Sequence, residues 1–86
     1  MPTVKIPPPY RGPTGGLESI DVDAASVRGC IEAVDSDHPG FAAQVFGPGG
    51  DAHRFVKLFV NGVQADPEAS VGPDDEVGVI AAIAGG

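Results

Sequence analysis

The stretch FVKLFVNG, residues 55–62, decides the fold of this chain. Its first six residues are β-branched, aromatic or aliphatic apart from one lysine, and such residues favour a strand. The Asn61-Gly62 pair that follows is a strong signal for a two-residue type I′ turn between antiparallel strands. We therefore predict a strand over residues 55–60 that turns at Asn61-Gly62 and returns through residues 63–65.

Downstream of this hairpin a last strand is predicted. Residues 72–75 (GPDD) have the composition of a turn, and residues 76–81 (EVGVIA) follow as an apolar strand. Residues 67–71 are predicted to cross over between the hairpin and this strand.

Upstream, one main helix is predicted from four apolar residues at the i, i+3, i+4, i+7 spacing that forms a stripe on one helix face. They are Val27, Cys30, Ile31 and Val34. Ser26 is the candidate N-cap, and Pro39-Gly40 marks the end. A short second helix is expected over residues 41–46, and the place of Cys30 on the stripe predicts a core thiol.

The first quarter of the chain predicts a hairpin, because residues 3–6 and 17–22 both alternate polar and apolar side chains. Residues 7–9 (PPP) are expected to end the first strand without bending into a helix, since proline donates no backbone hydrogen bond. The resulting element order predicts an α+β fold of the β-grasp (ubiquitin-like) class, a mixed sheet wrapped around one main helix. We expect a β-grasp domain over residues 1–81 and an extended C-terminal tail over residues 82–86.

Size and composition exclude several classes of function. With 86 residues, 6% aromatic residues and no Trp, the chain makes one small domain without room for a deep catalytic cleft, which favours a carrier or binding role. A single cysteine and no clustered Cys/His spacing exclude an intramolecular disulfide and make a metal site a poor hypothesis. There is no signal-peptide core and no apolar run of about 20 residues, so we expect a cytoplasmic protein without membrane contact.

The charge pattern bears on partners. The net charge is −7, and from Leu58 onward there are five acids and no Lys or Arg. Nucleic acid is therefore not expected as a partner. We expect acidic surface around an uncharged tail, attracting a partner with a basic rim.

The residues with the clearest chemical meaning are Ala84, Gly85 and Gly86 at the end of the sequence. Two glycines without Cβ let a terminal carboxylate enter a channel too narrow for other side chains. Extended residues 82–86 would reach about 17 Å, far enough to enter a neighbouring active site.

In residues 55–62, in Asp74-Asp75-Glu76-Val77 and in the AIAGG of residues 82–86, the chain resembles sulfur-carrier proteins of the ThiS and MoaD type. Residues 6–16 and 53–56 are most similar to the CysO branch. The resemblance implies that Gly86 is adenylated by an ATP-using activating enzyme of the MoeB/ThiF type and converted to a thiocarboxylate. It also implies a sulfur-accepting biosynthetic enzyme and a metalloprotease that releases the product, with no cofactor bound by the carrier and no catalysis of its own.

Several alternatives stay open at this point. The same tail would serve the small subunit of a molybdopterin synthase or a ubiquitin-like protein modifier, and a plain interaction domain with an inert tail is a fourth hypothesis. His53, Arg54 and Phe59 are candidates for a partner-docking surface. We expect a monomer that forms transient complexes.

Overall fold

The structure, a computed structural model, describes residues 1–81 of the chain, so the predicted tail at residues 82–86 lies outside the described residues. In chain order the elements are β1 (Thr3–Lys5), a 3-10 turn (Pro8–Tyr10), β2 (Ser19–Asp21), α1 (Val27–Asp37), α2 (Phe41–Val45), β3 (Val56–Val60), β4 (Val63–Gln64) and β5 (Glu76–Ala81). None of the described helices, of which the 11-residue α1 is the longest, could span a bilayer.

The five strands form one mixed sheet in the order β2-β1-β5-β3-β4. β1 and β5 run parallel, and the other neighbouring pairs are antiparallel. The core lies between one face of the sheet and the two helices. The sheet contributes Val4, Val56, Leu58, Val77 and Val79, and the helices contribute Val27, Cys30, Ile31, Val34, Phe41 and Val45. This arrangement confirms the β-grasp prediction.

Helix α1 begins and ends where the sequence predicts. The Ser26 hydroxyl accepts a hydrogen bond from the Gly29 amide at 3.0 Å, as an N-cap does. After Asp37 the chain reaches Gly40, whose φ of 106° is in the left-handed region. All four stripe residues are buried, including Cys30, so the prediction of a core thiol is confirmed.

The first hairpin differs from its prediction in two places. The proline run does bend, because the amides of Tyr10 and Arg11 donate to the carbonyls of Pro7 and Pro8 in a 3-10 turn. Proline lacks a donor but keeps its carbonyl acceptor, and its fixed φ suits this turn. β2 is also shorter than expected, since the Leu17 amide still belongs to the preceding turn and donates to the Thr14 carbonyl.

The second hairpin follows the prediction closely. Asn61 and Gly62 have φ values of 51° and 82°, the two positive values that a type I′ turn requires. β4 ends at Gln64, one residue earlier than expected, although the Ala65 amide still donates to the Leu58 carbonyl.

Candidate functional site

The strand that leads to the C-terminal tail is the central strand of the sheet. β5 pairs with β1 from Glu76 to Gly78 and with β3 from Val77 to Ala81, which lies opposite Val56. A central strand bonded on both sides is held more firmly than an edge strand. The tail therefore continues from Ala81, which pairs with Val56 of β3.

The start of β5 is held by a small polar network. Asp75 accepts hydrogen bonds from the Gly72 amide at 2.8 Å and from the Asn61 side chain at 2.9 Å. Asn61 in turn accepts from the Glu76 amide at 2.9 Å. The hydrogen bond from the Gly72 amide, and after it the one from the Asn61 side chain, lowers the pKa of the half-buried Asp75 carboxyl below its ordinary value. Both ends of β5 are thus tied to the β3–β4 hairpin.

A groove of about 770 Å³, which we call the tail groove, lies at the far end of β5. Its lining comes from three separate parts of the chain: the end of β1 with the proline turn, Phe55 before β3, and residues 79–81 at the end of β5. Phe55 and Ile80 remain 41% and 52% exposed. The tail groove therefore presents apolar side chains to solvent beside the point where the tail begins.

Positive charge surrounds the tail groove. Lys5 and Arg11 line it, Arg54 stacks over the ring of Phe55 at 5.1 Å, and Lys57 lies opposite Ile80 in the ladder between β3 and β5. Among residues 1–81, no Asp or Glu lines it.

The expectation of acidic surface around the base of the tail is therefore wrong. Asp74, Asp75 and Glu76 lie at the start of β5, about 16 Å of strand away from Ala81. The cations come instead from β1 and β3, which the sheet places on either side of β5, and from the loops next to them: Lys5 and Lys57 lie on the strands, Arg11 follows the proline turn, and Arg54 precedes β3.

The three residues predicted to dock a partner do not form one cluster. Arg54 borders the tail groove, whereas Phe59 lies on β3 opposite Gly78. His53 lies against α2, where its Nε2 is 3.2 Å from the Ala43 carbonyl oxygen. Their part in docking stays a prediction.

Inside the described range 1–81, no group of three or more His, Cys, Asp or Glu side chains is placed to hold a metal ion. The Cys30 thiol is fully buried, and burial raises its pKa, so it is not an activated nucleophile.

Comparison with known proteins agrees with this geometry. The sequence model of the ThiS family matches residues 4–86, nearly the whole sequence. The chain belongs to the ThiS family. This confirms the resemblance inferred from residues 55–62, from the turn before β5 and from the diglycine end.

Individual relatives of this ThiS-family chain lie in the CysO branch. It is 28% identical over 90 aligned residues to the sulfur carrier protein CysO of Mycobacterium tuberculosis, covering 98% of this chain and 97% of that protein. It matches a chain of the Amycolatopsis orientalis BexX/CysO complex with a TM-score of 0.92 and 33% identity over 100% of both chains. A putative molybdopterin converting factor subunit 1 from Pyrococcus furiosus gives a TM-score of 0.68 and 31% identity, covering 95% and 97%. The ThiS-family chain is accordingly a sulfur carrier of the CysO type and not an enzyme.

Several residues of the tail groove were missed by sequence reasoning. Lys5, Tyr10, Arg11 and Ile80 belong to no sequence motif, and they come from opposite ends of the sequence.

Proposed function

We propose that this carrier is loaded with sulfur at Gly86 and delivers it as a C-terminal thiocarboxylate. The observation that carries the proposal is the family match, which runs through Gly86 itself. The position of β5 supports it, because the strand is paired on both sides up to Gly78 and with β3 up to Ala81, and five more residues follow. Such a tail reaches about 17 Å when extended, while the globular body stays outside the partner's active site.

The chemistry requires activation of an unreactive group. The Gly86 carboxylate attacks the α-phosphate of ATP, forming an acyl adenylate and releasing pyrophosphate. A sulfide donor then attacks the acyl carbon, AMP leaves with the bonding electron pair, and the thiocarboxylate remains. Residues Ala84, Gly85 and Gly86 provide the narrow segment that enters the partner enzymes, and the carrier contributes no catalytic group.

Two kinds of partner follow from this cycle. An adenylating enzyme of the MoeB/ThiF type would supply ATP chemistry, and a biosynthetic enzyme would accept the sulfur for cysteine or another sulfur-containing metabolite. A metalloprotease would release a product that remains joined to the tail. We place the cycle in the cytoplasm, where ATP is available.

The test is intact mass spectrometry after incubation with ATP, sulfide and a lysate of the source organism. The full chain should gain the mass difference between one sulfur and one oxygen atom. A chain lacking Gly86 should not gain it, and omission of ATP should abolish the gain. Gly49→Ala, at a loop glycine with open space around the Cβ position, is the control for altering a glycine outside the tail and should load like the unmodified chain.

Absence of the mass gain from the full chain, with an activating enzyme demonstrably present, would refute the loading step. Equal gain in the chain lacking Gly86 would show that the sulfur is attached elsewhere. Either result would favour the alternative hypothesis of an interaction domain with an inert tail.

The small subunit of a molybdopterin synthase is the alternative that an observation favours, namely the 31% identity to the Pyrococcus furiosus protein. The two functions share the thiocarboxylate and differ in its acceptor. Adding candidate acceptor enzymes to the loaded carrier separates them, since only the productive one changes the mass of the loaded chain. Protein modification would instead give covalent adducts on lysines of other proteins.

A further inference from the structure

The tail groove combines exposed apolar side chains with a mostly apolar lining. Phe55 and Ile80 present about half of their side-chain surface to solvent, while Ile6 and Val79 beneath are buried. Exposed aromatic and aliphatic side chains grouped in one concave site are typical of protein-binding surfaces. The groove is thus shaped for apolar anchors of another protein.

The cations around the tail groove lack acidic partners within the part of the chain that the structure describes. The only ion pair among residues 1–81 joins Arg28 to Glu68 at 2.6 Å, on the side of α1. Lys5, Arg54 and Lys57 are exposed, and no carboxylate of residues 1–81 lies within ion-pair distance of them. Arg11 is fixed by its own backbone, since its Nε donates to the Ile6 carbonyl at 3.1 Å.

The grouping of Lys and Arg side chains at the tail groove is unusual for so acidic a chain. Twelve acids are distributed over the sequence, and four of the five Lys and Arg residues meet at one groove. Positive charges grouped without internal partners repel one another and are stabilised when an opposite charge docks on them.

We propose that the tail groove docks an acidic segment of a partner protein, with apolar side chains of that segment against Phe55 and Ile80 and its carboxylates against Lys5 and Lys57. The inference deepens the proposed function by naming the charge of the partner surface, and it rests on that function for the identity of the partner. Because Ala81 is part of the lining, a docked segment sits beside the point from which the tail continues. Docking there would direct Gly86 toward the partner's active site.

A peptide titration tests the docking chemistry without any need for sulfur loading. The isotope-labelled full chain is titrated with the peptide acetyl-Asp-Glu-Leu-Phe-Asp-Glu-amide while backbone amide shifts are followed by NMR. Shifts should be confined to the amides of Lys5, Ile6, Tyr10 and Arg11 and to those of residues 54–57 and 79–81. The basic peptide acetyl-Lys-Lys-Leu-Phe-Lys-Lys-amide should produce none there.

Two variants of equal net charge separate local contacts from overall charge. Lys5→Gln/Lys57→Gln removes two positive charges at the groove, whereas Ser36→Glu/Ala43→Glu adds two negative charges at exposed positions on α1 and α2. The first variant should bind the acidic peptide about two- to tenfold more weakly, and the second should bind it nearly as the unmodified chain does. Amide dispersion in the spectra verifies that both variants fold.

Three results would overturn the docking proposal: shifts with the basic peptide and not the acidic one, acidic-peptide shifts that avoid the groove, or equal weakening in both double variants. Groove shifts with a single-stranded oligothymidine and none with the acidic peptide would assign the positive charge to nucleic acid instead. If the full chain fails to gain sulfur mass, the loading function fails, while the peptide titration still decides the groove.

Discussion

Replacement of Phe41 by alanine should separate core packing from surface function in this protein. Phe41 is the first residue of α2, and its side chain is fully buried among the apolar residues between the helices and the sheet. Gly40 before it is in the left-handed region, which turns the chain so that Phe41 points inward. The truncation would remove the largest fully buried side chain.

The expected loss follows from the cavity that the truncation leaves. A fully buried Phe→Ala substitution costs about 3–5 kcal/mol, because the surroundings relax only partly. A domain of 86 residues has a total unfolding free energy of about 4–13 kcal/mol. The variant should therefore lose a quarter or more of its stability, and its Tm should fall by at least about 12 °C.

The assay is thermal and urea unfolding followed by circular dichroism, with Phe55→Ala as the control of identical chemistry. Phe55 is 41% exposed at the tail groove, so its truncation should cost about 1 kcal/mol or less. Phe55→Ala should instead weaken binding of the acidic peptide. Equal destabilisation by the two substitutions would refute the assignment of Phe41 to the core.

Two further predictions concern titratable groups. The pKa of Asp75 is lowered in the folded state by the Gly72 amide and the Asn61 side chain, so its contribution to stability is present above the unfolded pKa and lost as the pH falls through the folded pKa. Asp75→Ala should consequently destabilise the protein more at about pH 6 than at about pH 2 in urea titrations, and an equal loss at both would contradict the hydrogen-bonded clamp. The Cys30 thiol, buried and with a raised pKa, should react with a disulfide reagent in urea and hardly at all in the folded protein. Fast labelling of the folded chain would contradict its place in the core.

Much of the fold could be predicted because its signals are local. The apolar stripe from Val27 to Val34 and the Asn61-Gly62 turn lie within short continuous segments, where spacing reports directly on helix or hairpin geometry. The errors were also local, but they occurred where two preferences compete. At Pro8–Tyr10 the prolines lack backbone donors, which argues against a helical turn. The proline carbonyls can still accept hydrogen bonds, however, and the 3-10 turn forms.

The sequence by itself determined the fold class, the family and the residues of the tail, because each depends on neighbouring positions and on a pattern read along one segment. Only the tertiary structure decided the character of the surface at the base of that tail. The parallel pairing of β1 with β5 and the antiparallel pairing of β3 with β5 bring Lys5 and Lys57 to opposite sides of one strand. Strand order in the sheet is not encoded by any local pattern. It places positively charged residues of β1 and β3 beside a C-terminal segment that is itself acidic.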